Sequence, residues 1–188
     1  MRVDQLLPRA TLYFDLRSPY TYLVAERADR LFDGLEWRPA SADVLHGGEL
    51  DDDAPRAAAD RARLLGLPLV WPEDRPYRVL RAMRVASLAV ERGCGGAFVL
   101  AASRLAFCGG FDLDDPEILA EAAAAAGISL DDAFHAAGDV ARDGPIEAAA
   151  RMLLAAGAER LPVLKVGRTL FSGEDRLMEA AAAARAAV

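Results

Sequence analysis

The segment Thr11 to Leu23, TLYFDLRSPYTYL, constrains the fold more than any other part of this chain. A short apolar run, Leu12 to Phe14, reaches Asp15 and Leu16. It then breaks at Arg17, Ser18 and Pro19 before helical spacing begins. This predicts a strand, a tight turn and a helix N-terminus, the junction at which α/β proteins tend to place reactive groups. Tyr20 to Phe32 continues as a helix, with Tyr22, Leu23, Ala25, Ala28, Leu31 and Phe32 recurring at helical spacing, and Asp33-Gly34 ends it.

The remaining elements follow from the same patterning. Leu35 to Arg38 reads as a second strand, and Ser41 to Asp53, which holds His46, as a loop rich in Gly and Asp. Helical patterns cover Pro55 to Leu65, Pro76 to Arg92, Ala97 to Phe107 and Pro116 to Ala126, the last stopped by Gly127. Leu130 to Ala137 follows, capped by Ser129 with Asp132 three positions on, and then Pro145 to Ala156, with Pro in its first turn. Strands return at Leu161 to Val166 and Thr169 to Ser172, joined by Gly167-Arg168, and a last helix begins near Gly173 and Glu174. Two-stranded pieces are marginal alone, so the early strand and the late hairpin must share one sheet. The expected fold is α/β: a small core from 11–45 and 145–188, with 54–144 inserted as an all-helical unit.

Composition excludes several classes. At 188 residues, 53% hydrophobic and 27% charged, the chain suits one globular unit. A formal net charge of -7, with no Lys/Arg cluster free of interleaved acids, argues against nucleic acid as a partner. The Ala-rich stretches are too short or too interrupted by charge to span a membrane. The first ten residues lack the apolar run of a secretory signal, which gives a cytoplasmic expectation. Cys94 and Cys108, 14 positions apart, read as reduced, buried thiols. His46 and His135 lie in no metal-ligand spacing, so no metal is expected.

Three positions carry chemistry. Ser18-Pro19 suits a helix cap, serine being a favoured N-cap and proline a favoured next residue. A hydroxyl at a helix N-terminus also sits at the positive end of the dipole, where it can donate a hydrogen bond to a bound thiolate. A thiol-disulfide enzyme would place Cys-x-x-Cys at such a turn; this chain has Ser18-Pro19-Tyr20-Thr21. No base is near in sequence, so Ser18 is not read as a nucleophile. Leu161-Pro162 opens a strand with a residue that cannot donate to a ladder, which implies either an edge position or a cis peptide. A cis bond would leave the Leu161 main chain free to pair with an extended peptide. Ser172 to Leu177 (SGEDRL) passes from strand to helix, where free N–H groups suit a carboxylate and Asp175 suits an ammonium, the two ends of an α-amino acid. Tyr20 and Trp71 are candidate pocket residues.

In order and spacing these motifs resemble the DsbA-like thioredoxin superfamily, and within it the 2-hydroxychromene-2-carboxylate isomerase and kappa-class glutathione transferase branch. The likeness runs from about Leu12 to Leu177 and includes RARLLGLPLVWP, 61 to 72. It implies a thioredoxin core with an inserted helical domain, glutathione as cofactor, a small-molecule substrate and a homodimer. By the same resemblance Ser18 contacts the glutathione sulfur and Leu161, ahead of a cis Pro162, pairs with its cysteinyl backbone. Glu174 and Asp175 stand where the γ-glutamyl end is held. The implied activity is isomerisation of an aromatic or unsaturated keto acid, with glutathione transfer, thiol-disulfide exchange and non-catalytic binding as alternatives. The chain departs from the family pattern in three places. The loop VLHGGELDDDAPR lacks the Asn and Lys that face the substrate. Pro76-Tyr77-Arg78-Val79 replaces Pro-x-Asn-Ser/Thr. Arg160 stands where a glycine is usual, and a cation there can attract an anion to the site.

Overall fold

A computed structural model describes residues 10–46, 54–72 and 79–187. Four strands form one mixed sheet in the order β2-β1-β3-β4, from β1 (Ala10–Phe14), β2 (Leu35–Pro39), β3 (Val163–Val166) and β4 (Thr169–Ser172). The β1–β2 pair is parallel, with Leu12 opposite Trp37. The β1–β3 and β3–β4 pairs are antiparallel, with Tyr13 opposite Val163 and Val163 opposite Ser172. The early strand and the late hairpin therefore do share a sheet. Every residue of β1 is buried, as expected of a central strand covered on both faces.

The helices supply that cover. On one face Leu12, Leu164 and Val166 pack with Val24 of α1 (Pro19–Leu31) and with Leu177, Ala180 and Ala181 of α9 (Leu177–Ala186). On the other, Tyr13, Leu161 and Val163 pack with Ala42 and Leu45 of α2 (Ala42–His46) and with Ala150 and Leu153 of α8 (Asp143–Ala155). The alternation of Leu12 and Tyr13 between faces follows from the two-residue period of a strand.

Between β2 and β3 the chain is helical: α3 (Ala54–Leu64), α4 (Leu80–Glu91), α5 (Gly95–Phe107), α6 (Pro116–Ala125) and α7 (Leu130–Gly138). Alanines at the contacts, among them Ala82, Ala86, Ala89, Ala102 and Ala106, let these helices approach closely around Phe98, Phe107 and Leu113. One buried polar clamp crosses this packing. Arg84 on α4 donates to both Asp143 carboxylate oxygens at 2.7 and 2.6 Å and to the Ala137 carbonyl at 3.0 Å, so it ties α4 to α7 and α8. The Arg84 hydrogen bond holds the Asp143 carboxyl below its ordinary range.

Several boundaries differ from expectation; the last helix, for one, starts at Leu177 after a 3-10 turn at Glu174–Arg176. The loop from Ser41 contains a short helix, α2, whose first N–H, from Ala42, is taken by Asp15 Oδ2 at 2.7 Å. Helix α4 starts at Leu80 instead of Pro76; 73–78 and 47–53 lie outside the described residues. Helix α5 begins at Gly95, two residues before the apolar pattern does. Its glycines abut Trp37: a Cβ on Gly96 would lie 2.8 Å from Trp37 Nε1, so the close approach demands the absent side chain. Strand β3 starts at Val163, because Leu161-Pro162 is a cis peptide outside the ladder.

Candidate functional site

Three segments separated in sequence meet at one end of the sheet. The register Tyr13↔Val163 sets the turn after Phe14 beside Leu161-Pro162. The Pro162 carbonyl then accepts from Gly173 N–H at 2.8 Å, which brings the turn after β4 to the same place. Ser18, Leu161, Pro162, Glu174 and Asp175 are thus gathered by strand pairing.

The first turn is held by a residue that the sequence reading passed over. Asp15 is buried, and its Oδ1 accepts from Arg17 N–H at 2.8 Å while Oδ2 accepts from Ala42. Its carbonyl accepts from Ser18 N–H at 3.1 Å and from Thr21 Oγ1 at 2.8 Å. Burial pushes the Asp15 carboxyl up, opposed by its two N–H donors and by Arg17. An aspartate two residues before an N–H it can accept is a local turn signal that could have identified this role. Leu16 N–H donates to Met83 Sδ at 3.4 Å and links the turn to α4, while Arg17 pairs with Asp43 at 2.6 Å.

Ser18 occupies the N-cap position of α1 with extended backbone, yet its hydroxyl makes no capping bond. Ser18 is half-buried, and its hydroxyl has no hydrogen-bond partner among the described residues. Tyr20, the second residue of α1, is half-buried against the helical core. The Leu161 side chain is buried, and its main-chain N–H and C=O have no hydrogen-bond partner among the described residues. Ser172 Oγ fixes the approach to it, accepting from Glu159 N–H at 3.1 Å and donating to the Arg160 carbonyl at 3.3 Å.

At the third segment the two acids diverge. Asp175 is exposed and pairs with Arg160 at 2.7 Å, which places Arg160 at the site through an acid of the SGEDRL motif. Glu174 is buried and faces Arg27 of α1 and Arg61 of α3. Gly173 between β4 and the acids has φ +96, and an added Cβ would meet the Arg160–Asp175 pair, so glycine is required there. Arg27 and Arg61 were missed: they lie 147 and 113 positions from Glu174, beyond any local pattern. Trp71 stands edge-on to Phe107 at 5.9 Å, and Tyr22 stacks with the same ring at 6.2 Å.

The cysteines are elsewhere. Cys94 and Cys108 flank opposite ends of α5, both half-buried and free. Fourteen positions at 1.5 Å of rise put them about 20 Å apart, beyond the reach of a mutual disulfide. Cys108 Sγ donates to Tyr22 Oη at 3.2 Å, and burial together with that thiol raises the phenol's pKa. Among the described residues no group of three or more His, Cys, Asp or Glu is placed to hold a metal, and no helix is long and apolar enough to cross a membrane.

Comparison with known proteins agrees with this fold. The DsbA-like thioredoxin domain model matches residues 10–184. A solved structure of 2-hydroxychromene-2-carboxylate isomerase superposes with a TM-score of 0.75 at 20% identity, covering 93% of each chain. A probable DsbA oxidoreductase from Streptomyces coelicolor gives 0.73 at 20% identity, over 95% of this chain and 90% of that one. The thiol-disulfide exchange protein alpha-DsbA2 from Wolbachia pipientis gives 0.61 at 18% identity, over 100% and 84%. At these identities the likeness is one of fold. No curated protein sequence matches the chain.

Proposed function

The chain belongs to the DsbA-like thioredoxin domain family, and on that premise we propose that it is a glutathione-dependent isomerase acting on an aromatic or unsaturated keto acid. One observation carries the reading. A serine hydroxyl with no capping bond stands at the N-terminus of α1, beside a Leu161 main chain whose two polar groups have no partner among the described residues. A serine kept only as a cap would bond its own helix. An unpaired backbone at the edge of a cleft suits an extended peptide ligand. Both groups fit a cysteinyl peptide, the one through its sulfur and the other through its main chain.

When bound, glutathione supplies a nucleophilic sulfur that adds to a conjugated carbon and leaves again, so that a double bond can rotate or a ring open between the two events. The protein's part is to orient and to stabilise charge. Ser18 Oγ donates toward the sulfur, and the positive end of the α1 dipole favours the thiolate over the thiol. Because Asp15 locks the turn through four hydrogen bonds, the Ser18 backbone that carries the hydroxyl is held in place before the ligand arrives. Leu161 N–H and C=O hold the cysteinyl residue, and Asp175 with Arg160 flank the charged γ-glutamyl end.

Thiol-disulfide exchange is less well supported, since it needs a cysteine at the turn and the turn carries Ser18-Pro19-Tyr20-Thr21. The reading is tested by titrating the protein with reduced glutathione in a calorimeter and then assaying cis-trans isomerisation of hydroxychromene-type acids. Saturable heat and glutathione-dependent turnover are expected. No heat at millimolar glutathione would overturn the proposal.

A further inference from the structure

Two guanidiniums meet one carboxylate where α1, α3 and the turn after β4 converge. Arg27 Nη2 and Arg61 Nη2 both donate to Glu174 Oε1, and Arg61 Nε donates to Oε2 at 2.6 Å. Glu174 is 3% exposed, and Arg27, with a side chain 16% exposed, is enough to neutralise it. Arg61 is therefore surplus, and the trio carries one net positive charge in a chain whose formal charge is -7.

The geometry says what that surplus charge can do. Glu174 occupies the Nε–Nη2 edge of the Arg61 guanidinium, and Nη1 has no hydrogen bond among the described residues. The side chain is 35% exposed and lies within electrostatic reach of Asp175 and Tyr20. Asp175 is already drawn to Arg160. A guanidinium pinned along one edge by a buried acid has lost its rotamer freedom in advance and still offers a planar donor edge. That is the arrangement that binds a second carboxylate best.

We propose that Arg61 is the anion anchor of the site formed by Ser18, Leu161 and Asp175, binding a carboxylate of the thiol ligand and selecting a carboxylate-bearing thiol over a neutral one. This rests on the glutathione reading of the same site. Arg61 is a specificity residue here; the sulfur is handled by Ser18.

The test measures binding of reduced glutathione, its glycyl monoethyl ester, its diethyl ester and ophthalmic acid, the tripeptide with methyl in place of the thiol. Each is titrated into wild type, Arg61→Gln and Arg61→Lys, with urea midpoints recorded so that any loss of folding is seen separately. Wild type is expected to prefer glutathione to the diester by about tenfold or more. Arg61→Gln should erase that preference, and Arg61→Lys, which keeps the charge without the fork, should restore part of it. Loss of affinity already at the monoester assigns the glycyl carboxylate, and loss only at the diester assigns the γ-glutamyl one. Ophthalmic acid binding that vanishes in a folded Arg61→Gln protein supports the anchor even if the sulfur contact proves wrong. Equal binding of glutathione and its diester by wild type overturns the anchor and leaves the glutathione reading standing. Absence of binding by both glutathione and ophthalmic acid overturns the two together.

Discussion

Replacing Ser18 by Ala separates a helix cap from a sulfur contact, because the two roles predict opposite pairs of results. A serine that caps its helix loses about 1 kcal/mol of stability on truncation to Ala. Here the hydroxyl makes no capping bond, so only a few tenths of a kcal/mol are at stake. The backbone bonds that shape the turn, Ser18 N–H to the Asp15 carbonyl and Thr21 N–H to the Ser18 carbonyl, survive the substitution. A hydrogen bond to an ionised partner contributes about 1.5–3 kcal/mol, which is about 10- to 150-fold in affinity for the thiolate. Urea unfolding without ligand gives the first quantity, and glutathione titration with thiolate absorbance across pH gives the second. Ser18→Ala should unfold close to wild type, bind glutathione weakly and return the bound thiol's pKa toward its free value. A loss of 1 kcal/mol or more without ligand, with unchanged glutathione affinity, would refute the assignment and make Ser18 a cap.

Three other substitutions test the frame around the site. Glu174→Gln leaves Arg27 and Arg61 facing a neutral amide in a buried place, and should cost about 2–4 kcal/mol in urea unfolding; a change under 0.5 kcal/mol would mean the pairs contribute nothing. Gly173→Ala forces an L side chain to φ +96 and into the Arg160–Asp175 pair, so a loss of about 1–3 kcal/mol is expected in thermal or urea unfolding, and a neutral result would contradict that backbone. The Asp15 carboxyl has a folded pKa above the 3.8 of the unfolded chain. The native state therefore holds this proton more tightly, and the contribution of Asp15 to stability is full below that value and falls as pH rises through the folded one. Asp15→Asn should flatten the pH profile of stability above about pH 4; an unchanged slope would show that Asp15 is not the group responsible.

How much of this was legible in the sequence depends on how local each cause is. The strand, turn and helix around Ser18 were readable because apolar spacing and a Ser-Pro pair act within a few residues. The Ser129 cap was readable for the same reason: its oxygen accepts from Asp132 N–H at 3.2 Å, three positions on. The start of α5 was not, since Gly95-Gly96 resembles a helix end by propensity and only the approach of Trp37 explains it. Helix α2 spans five residues, too few for any period, and depends on an acid from another element. At the site, strand pairing gathers Ser18, Leu161, Glu174 and Asp175, and resemblance had already grouped them. The different fates of the two acids were hidden. Only the fold brings Arg27 and Arg61 to Glu174 and leaves Asp175 to Arg160.

The central claim is that Ser18 and Leu161 together receive a cysteinyl peptide. A crystal structure grown with reduced glutathione tests it most directly. The sulfur is expected within hydrogen-bond distance of Ser18 Oγ, with the cysteinyl main chain paired with Leu161. Glutathione bound elsewhere, or this site left empty at saturating concentration, would contradict the claim.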